Sequence, residues 1–434
     1  MKNTFTIALI GCGVVGGGTA KILVTDRAAL KERTGIDLIL KYVVDVKFDH
    51  AKRLGLPEDL YCTDLSKALS DPTVDGVIEL VGGTGFAKSV VEQALKAKKH
   101  VVTANKALMA LHGKELFALA RENSVNIGLE ASCVGGVPVI KVLTEDLAAN
   151  RIDALYGIVN GTTNYILTQM VEHRRSYQEA LGEAQSLGYA EADPTLDVSG
   201  MDSAHKITIM SSLAFARQVS LDQVKVQGIQ DLSLEDVALA RAWGFIPKLI
   251  ASAERLDKGF SLQVRPTLLP LDHPLARISG SFNSLSIYGS WLGHSQYSGR
   301  GAGASPTASA VVADLLGLAM GTITRVQNQM KIWPDQTTKA QVQDPAPCPW
   351  FLRLSWERDK IQDAGVLGQL EKAGITVKKA EITESEGKTS WLILTGAVDR
   401  QTLEKALESL KTLPGNQKDL GILPILYLRN ENLS

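Results

Sequence analysis

A short apolar run at residues 4–10 passes without interruption into Gly11-Cys12-Gly13-Val14-Val15-Gly16 and then into a helix-forming stretch. Strand, glycine turn and helix in that order open a parallel βαβ unit, and this restricts the fold more than any other feature of the chain. Gly11 permits the tight turn, Gly13 lets the backbone approach a pyrophosphate, and Gly16 allows helix and strand to pack closely. The helix start, with Val14 and Val15 at its head, offers unpaired N–H groups to phosphates. A lone GxGxxG is a weak sign. Here it stands between a strand and a helix, and dinucleotide binding is the expectation.

The alternation continues. Candidate strands at 4–10, 38–45, 76–81, 100–103 and 126–129 are separated by helix-like stretches at 17–31, 86–97 and 114–122. That pattern predicts an α/β Rossmann domain, a doubly wound parallel sheet over 1–137. Ligands of such sheets lie outside the carboxyl ends of the strands. Asp45 and Lys47 stand at one such end, Gly82-Gly83-Thr84 at another, and Lys106 beyond a third. The aspartate suits the ribose hydroxyls of NAD and the nearby lysine the extra phosphate of NADP, so the cofactor preference stays open. Gly82 and Gly83 let a cofactor pass close to the backbone, and Lys106 brings a cation to the middle of the cleft.

From 138 to 299 the pattern changes to long helical stretches (139–150, 177–187, 202–215, 234–243) mixed with strands at 154–159 and 260–267, an α+β domain for substrate. A helix at 307–320 follows a glycine-rich loop and is expected to complete the first domain, within about 300–335. A proline-rich linker at 336–349 precedes 350–434, where strands at 351–356, 375–383, 390–398 and 422–428 enclose helices at 364–373 and 401–411. That order, βαββαβ, is ferredoxin-like.

Charge narrows the function. Forty-six Lys and Arg face 47 Asp and Glu, a net charge of -1. A nucleic-acid or membrane-surface protein would carry a basic excess, so neither partner is expected. No apolar run nears the roughly 20 residues of a membrane span, and no signal segment precedes the first strand, which leads to a cytoplasmic expectation. Cys12, Cys62, Cys133 and Cys348 are scattered, without a zinc spacing. Chemistry must then come from Lys, Asp, Glu, backbone groups and an organic cofactor.

The stretch 188–206, GYAEADPTLDVSGMDSAHK, gathers Glu191, Asp193, Asp197 and Asp202 before and at the start of an apolar helix. Ser199 and Asp202 have capping-box spacing. Asp202 and Lys206, four apart, share a helical face. Taken alone this is a capped helix with an exposed ion pair. Yet a metal-free alcohol oxidation needs a group to take the hydroxyl proton as hydride leaves, and a lysine held by carboxylates does that. Glu191 or Asp197 would hold the ammonium of an amino-acid substrate and Lys106 its carboxylate. His205 and Cys133 read as packing residues.

The runs IGCGVVGGG, ELVGGT, HVVTANKAL, EASCVGGVPVI, IVNGTTNYIL, LGYAEADPTLDVSGMDSAHK and GRGAGASPTASAVVAD together resemble the homoserine dehydrogenases over essentially the whole chain. The resemblance implies reversible hydride transfer between NAD(P)H and L-aspartate 4-semialdehyde, giving homoserine. It implies that Lys206 is proton donor and acceptor, that Glu191 binds substrate, and that Lys106 lies against cofactor and substrate. Asp197 and Asp202 would support the site, Thr162 would line the substrate pocket, and Gly303 would lie near the nicotinamide. It also implies a sodium-type cation on the backbone carbonyls of Glu130, Cys133, Gly135 and Val137, a chemically reasonable set because hard cations prefer oxygen. Homodimers or homotetramers are expected. The C-terminal unit resembles an ACT domain, for which threonine is the candidate effector. It departs from amino-acid-binding ACT domains in lacking an Asp-x-Pro-Gly turn, reading RDKIQDAG at 358–365, and Val44 stands where an Arg often precedes the family's Asp.

Competing readings differ in what they require. An aldehyde-oxidising relative needs a cysteine nucleophile with a partnered histidine, and Cys133 has no histidine beside it. An amine-acting Rossmann dehydrogenase would also use a lysine base, but the long substrate-segment match counts against it. An amino-acid sensor with an inert Rossmann domain would be free to lose Lys106, Lys206 or Glu191, and all three are present.

Overall fold

Strand β1 (Thr4–Ile10) is buried on both faces from Phe5 onward, as a central parallel strand must be. It pairs in parallel with β2 (Asp37–Val44) on one side. The other side takes β4 (Gly76–Glu79), after β3 (Tyr61–Cys62) in the chain. With β5 (His100–Thr103) and β6 (Ile127–Gly128) the sheet runs β3-β2-β1-β4-β5-β6. The direction of winding reverses between β1 and β4, which is where such sheets bind ligands. This is the expected Rossmann-like sheet, in a computed structural model that describes residues 3–330, 332–333, 340–357, 363–385, 388–410 and 417–429.

Two helices beside this sheet differ from expectation. The stretch 17–31 is broken: helix Val14–Thr25 ends at Asp26, which starts a second helix, Arg27–Thr34. The helix expected at 114–122 begins earlier, at Lys106, because Asn105 caps it by accepting from the N–H of Leu108 at 3.1 Å.

The chain divides into two compact units, each assembled from separate segments. The first comprises Met1–Gly161, Asp202–Val224 and Phe282–Gln341. Its helix Ala304–Ala319 packs on helix Val14–Thr25, where Gly18 admits the carbonyl of Ala304; a Cβ there would lie 3.2 Å from it. An antiparallel ladder joins Ile152–Ile158, Phe282–Gly289 and Gly293–Arg300. Phe282–Gly289 is buried on both faces, Leu285 and Ile287 alternating with the buried serines Ser284 and Ser286, whereas Gly293–Arg300 is a polar edge strand whose exposed Ser298 meets Ser284 at 2.7 Å. The helix expected over 139–150 is one turn, Val139–Lys141, continued by a π-helical turn, Val142–Asp146.

The second unit comprises Thr162–Met201, Lys225–Ser281 and Val342–Ser434. A twelve-residue antiparallel pair, Phe245–Leu256 with Gly259–Pro270, forms one part. The other is a four-stranded antiparallel sheet in which Trp350–Glu357 is flanked by Lys388–Thr395 and Gln417–Pro424, with Val377–Ser385 at one edge. Helices Asp363–Lys372 and Arg400–Leu410 follow the first and third strands in the chain. On the central strand Trp350, Leu352, Leu354 and Trp356 enter the apolar core. Arg353 points the opposite way and is fully buried. Its guanidinium takes both oxygens of Asp236, at 2.7 and 3.2 Å, on helix Leu234–Ala242. Most of the turn region that lacks Pro-Gly, 358–362, lies outside the described residues, as do Glu386-Gly387 and 336–339 of the linker.

Candidate active site

Gly11 turns with φ +93, and a Cβ there would sit 2.8 Å from the carbonyl of Leu80. Gly16 is tighter still, its absent Cβ lying 2.0 Å from the carbonyl of Gly11, whereas Gly13 faces open space. Turn, close packing and an unobstructed approach are thus divided among the three as their spacing implies. Gly13 caps helix Val14–Thr25 without a side chain, so the N–H groups of its first turn, around Val14 and Val15, stay available to an anion.

Asp45 is turned toward this loop. Its Oδ2 accepts from the N–H of Cys12 at 2.7 Å, and its Oδ1 from Val46 at 2.7 Å and Lys47 at 3.3 Å. Three of the roughly four acceptor positions of the carboxylate are filled by its own chain. Asp45 therefore shapes the glycine loop, whatever it offers a ribose. Gly82 and Gly83, both exposed at φ +82 and +71, form the next loop with Thr84. Gly303, at φ +111, caps helix Ala304–Ala319 in the same unit.

The centre of the first unit is Asp202, buried on helix Met201–Phe215. Oδ1 meets Lys106 Nζ at 2.7 Å; Oδ2 meets Lys206 Nζ at 2.7 Å and the amide of Asn160 at 2.8 Å. The expected capping box is not what these atoms do: both oxygens are engaged by two ammonium groups and an amide. Nor is the Asp202–Lys206 pair exposed, the two side chains being 2% and 10% accessible. The two lysines and the amide outweigh burial and hold the Asp202 carboxyl well below the usual carboxylate range. Lys206 also donates to the carbonyl of Val159 at 2.6 Å. Two of its three N–H positions are thus fixed, aiming the third. Val159 and Asn160 stand in the IVNGTTNYIL run, but nothing in the sequence gives them a role of their own.

His205 is buried, and burial lowers its imidazole, keeping it neutral. Burial pushes the Cys133 thiol up to about 12, with Sγ 3.8 Å from the carbonyl of Lys206, so it packs and does not attack.

Glu191, Asp197 and Thr162 belong to the second unit. Glu191 is exposed, and Asp197 lies on the short helix Thr195–Val198. Thr162 donates its hydroxyl proton to the carbonyl of Tyr189 at 2.7 Å, tying helix Gly161–His173 to the acidic segment. Toward a substrate it can then only accept.

The loop 130–137 follows β6. Val134 is fully buried at φ +53 and Gly135 has φ +52. A β-branched residue in that conformation is strained and marks a loop whose backbone is held for a purpose. Glu130 anchors it, accepting at Oε1 from the N–H of Ile140 at 2.8 Å and at Oε2 from Lys141 at 2.9 Å. Its own N–H goes to Asp314 at 2.8 Å.

Models of two families match the chain. One, described as homoserine dehydrogenase, NAD binding domain, covers residues 11–130, and the other, described as homoserine dehydrogenase, covers 138–316. A homoserine dehydrogenase of Pseudomonas aeruginosa is 37% identical over 444 aligned positions, covering 99% of each chain. One from Bacillus subtilis is 38% identical over 373, covering 86% of each. The crystal structure of a homoserine dehydrogenase from Thiobacillus denitrificans superposes with a TM-score of 0.90 at 35% identity, over 98% of this chain and 99% of that one.

Proposed function

The chain belongs to the homoserine dehydrogenase family of NAD(P)-dependent oxidoreductases, and from that premise we propose how its residues share the work. The reaction is the reversible interconversion of L-homoserine and L-aspartate 4-semialdehyde, with the bound nicotinamide giving or taking the hydride. The observation that carries the assignment of roles is the buried Asp202 carboxylate, bridging Lys106 and Lys206 at 2.7 Å each.

Lys206 takes the hydroxyl proton when homoserine is oxidised and returns it when the aldehyde is reduced. The carbonyl of Val159 and Asp202 orient its amine. Asp202 stays ionised and fixes the spacing of the two lysines. Lys106, held at one oxygen, faces the substrate carboxylate and the nicotinamide. Glu191 or Asp197 receives the substrate ammonium, and Thr162 lines the substrate pocket. The backbone of Gly11, Gly13, Val14, Val15, Gly16, Gly82, Gly83, Thr84 and Gly303 borders the cofactor, with Asp45 and Lys47 at its ribose.

A sodium-type cation is assigned to the 130–137 loop, whose carbonyls at Glu130, Cys133, Gly135 and Val137 are hard oxygen donors, those of Glu130 and Val137 also accepting from the N–H groups of Cys133 at 3.3 Å and Val139 at 2.8 Å. The C-terminal sheet has the strand order of a ferredoxin-like fold, and it is read as an ACT-like regulatory module with threonine as candidate effector. Self-association as a homodimer or homotetramer completes the reading.

Nicotinamide absorbance tests the assignment, using L-homoserine with NAD or NADP, with and without threonine, in sodium or tetramethylammonium buffer. Homoserine-dependent reduction is expected, and the two cofactor rates fix the preference. No turnover in either direction, including with the semialdehyde and reduced cofactor, would return the chain to the class of inert sensors. Asp45→Ala is a separate test. Removing the acceptor of three N–H groups is expected to weaken both NADH and NADPH by roughly tenfold or more in fluorescence titration. Unchanged affinity for both nucleotides would remove Asp45 from the cofactor site.

A further inference from the structure

Glu79 closes strand β4 and is wholly shut off from solvent. A carboxylate there needs donors, and two loops supply them. Oε1 accepts from the N–H of Val81 at 2.9 Å and of Gly82 at 3.2 Å. Oε2 accepts from the hydroxyl of Thr103 at 2.7 Å. Thr103, fully buried at the end of β5, accepts in turn from the N–H of Asn105 at 3.0 Å. Asn105 reaches back: its Nδ2 donates to the carbonyl of Gly83 at 2.6 Å, while its Oδ1 caps helix Lys106–Glu122. The circuit is closed, running from Glu79 through the Val81–Gly83 loop to Asn105, Thr103 and Glu79 again. The carbonyl of Leu80, within it, abuts Gly11. Three loops of the cofactor cleft therefore share one anchor.

We propose that Glu79 is a positioning residue that sets Lys106 against the cofactor cleft, acting through Thr103 and Asn105. The proposal rests on the reading of Lys106 given above. Lys106 follows the capping Asn105 directly and reaches Asp202 at 2.7 Å, so a shift of the cap moves one arm of the two-lysine hub. A carboxylate suits the place because it accepts at both ends. Thr103 has one hydroxyl proton, and giving it to Glu79 leaves a lone pair facing the Asn105 N–H. In Glu79→Gln one end still accepts from Val81 and Gly82. The other becomes a donor aimed at the Thr103 oxygen, whose own proton loses its acceptor. The half of the circuit that holds Gly82 survives, and the half that holds Lys106 loosens.

The full chain is tested as Glu79→Gln, Thr103→Val, Thr103→Ser and Lys106→Ala, measuring kcat against pH, nucleotide KM and thermal midpoint. Glu79→Gln and Thr103→Val are expected to lower kcat by roughly 10- to 100-fold and to displace its pH midpoint, with nucleotide KM within about threefold. Thr103→Ser keeps the hydroxyl and should stay within about twofold of the parent. Lower thermal midpoints with the parental kcat and pH profile would make Glu79 merely structural and overturn the proposal. Thr103→Ser as impaired as Thr103→Val would also overturn it. Should Glu79→Gln fail to fold, the Thr103 pair decides alone. An active Lys106→Ala would overturn the reading of Lys106 itself, whereas an inactive Lys106→Ala beside an unaffected Glu79→Gln rejects only the anchor.

Discussion

Lys206→Ala is expected to lower kcat by roughly 10²- to 10⁴-fold in both directions while leaving nucleotide affinity within a few-fold. The range is what a positioned general acid or base contributes. Nucleotide affinity should hold because Asp202 keeps Lys106 and Asn160 as partners when Lys206 is removed. The glycine loop is held by Asp45, and the Glu79 circuit by Val81, Gly82 and Thr103, through bonds in which Lys206 takes no part. Single-turnover absorbance and a fluorescence titration of reduced cofactor separate the two quantities. Cofactor binding lost together with turnover would move Lys206 from proton transfer to maintenance of the cleft. Turnover at the parental rate would pass the proton to Lys106, the other ammonium on the same carboxylate.

The largest effect on stability is expected from Asp236→Ala. The Arg353 guanidinium, fully buried, would lose the carboxylate that takes two of its bonds, keeping its bond to Ser355 at 3.0 Å and Glu235 at 3.4 Å. Removing one partner of a buried pair costs about 3–5 kcal/mol, because the other charge stays desolvated. For a unit of this size that corresponds to a fall in Tm of roughly 6–20 °C. Replacing both members, as Asp236→Leu with Arg353→Met, should recover much of the loss, since an apolar pair has no charge left to strand. Calorimetry on the two variants decides it. A double replacement as damaging as Asp236→Ala would show that shape, and not charge, holds the contact.

The parallel sheet was legible because its strands are buried on both faces and so read as unbroken apolar runs, with the glycine loop fixing the register of the first turn. The strands at 282–300 were not legible: in the first, Leu285 and Ile287 alternate with serines over only a few residues, and the second, Gly293–Arg300, is polar throughout. Arg353 would pass for a solvent-facing residue of an alternating strand, and nothing local says that Asp236 awaits it. Asp202 and Lys206 could be paired from helical spacing alone. Lys106, Asn160 and Val159 join them only through the fold. Glu79 carried one unused signal: an acidic residue ending a wholly apolar strand just before two glycines has no water to solvate it and must be anchoring something.

The helix Ala304–Ala319 bears on how the protein is made. It covers helix Val14–Thr25, and its Asp314 fits against Gly128, where a Cβ would lie 2.7 Å away. The sheet it completes is finished by residue 128, so the nascent chain holds an uncovered apolar face for the ~10–35 s that synthesis takes to reach it. Over that interval the Gly18 face of helix Val14–Thr25 is open to other chains. Yield of soluble enzyme should therefore depend on chaperone supply and growth temperature more steeply than the finished protein's stability would suggest.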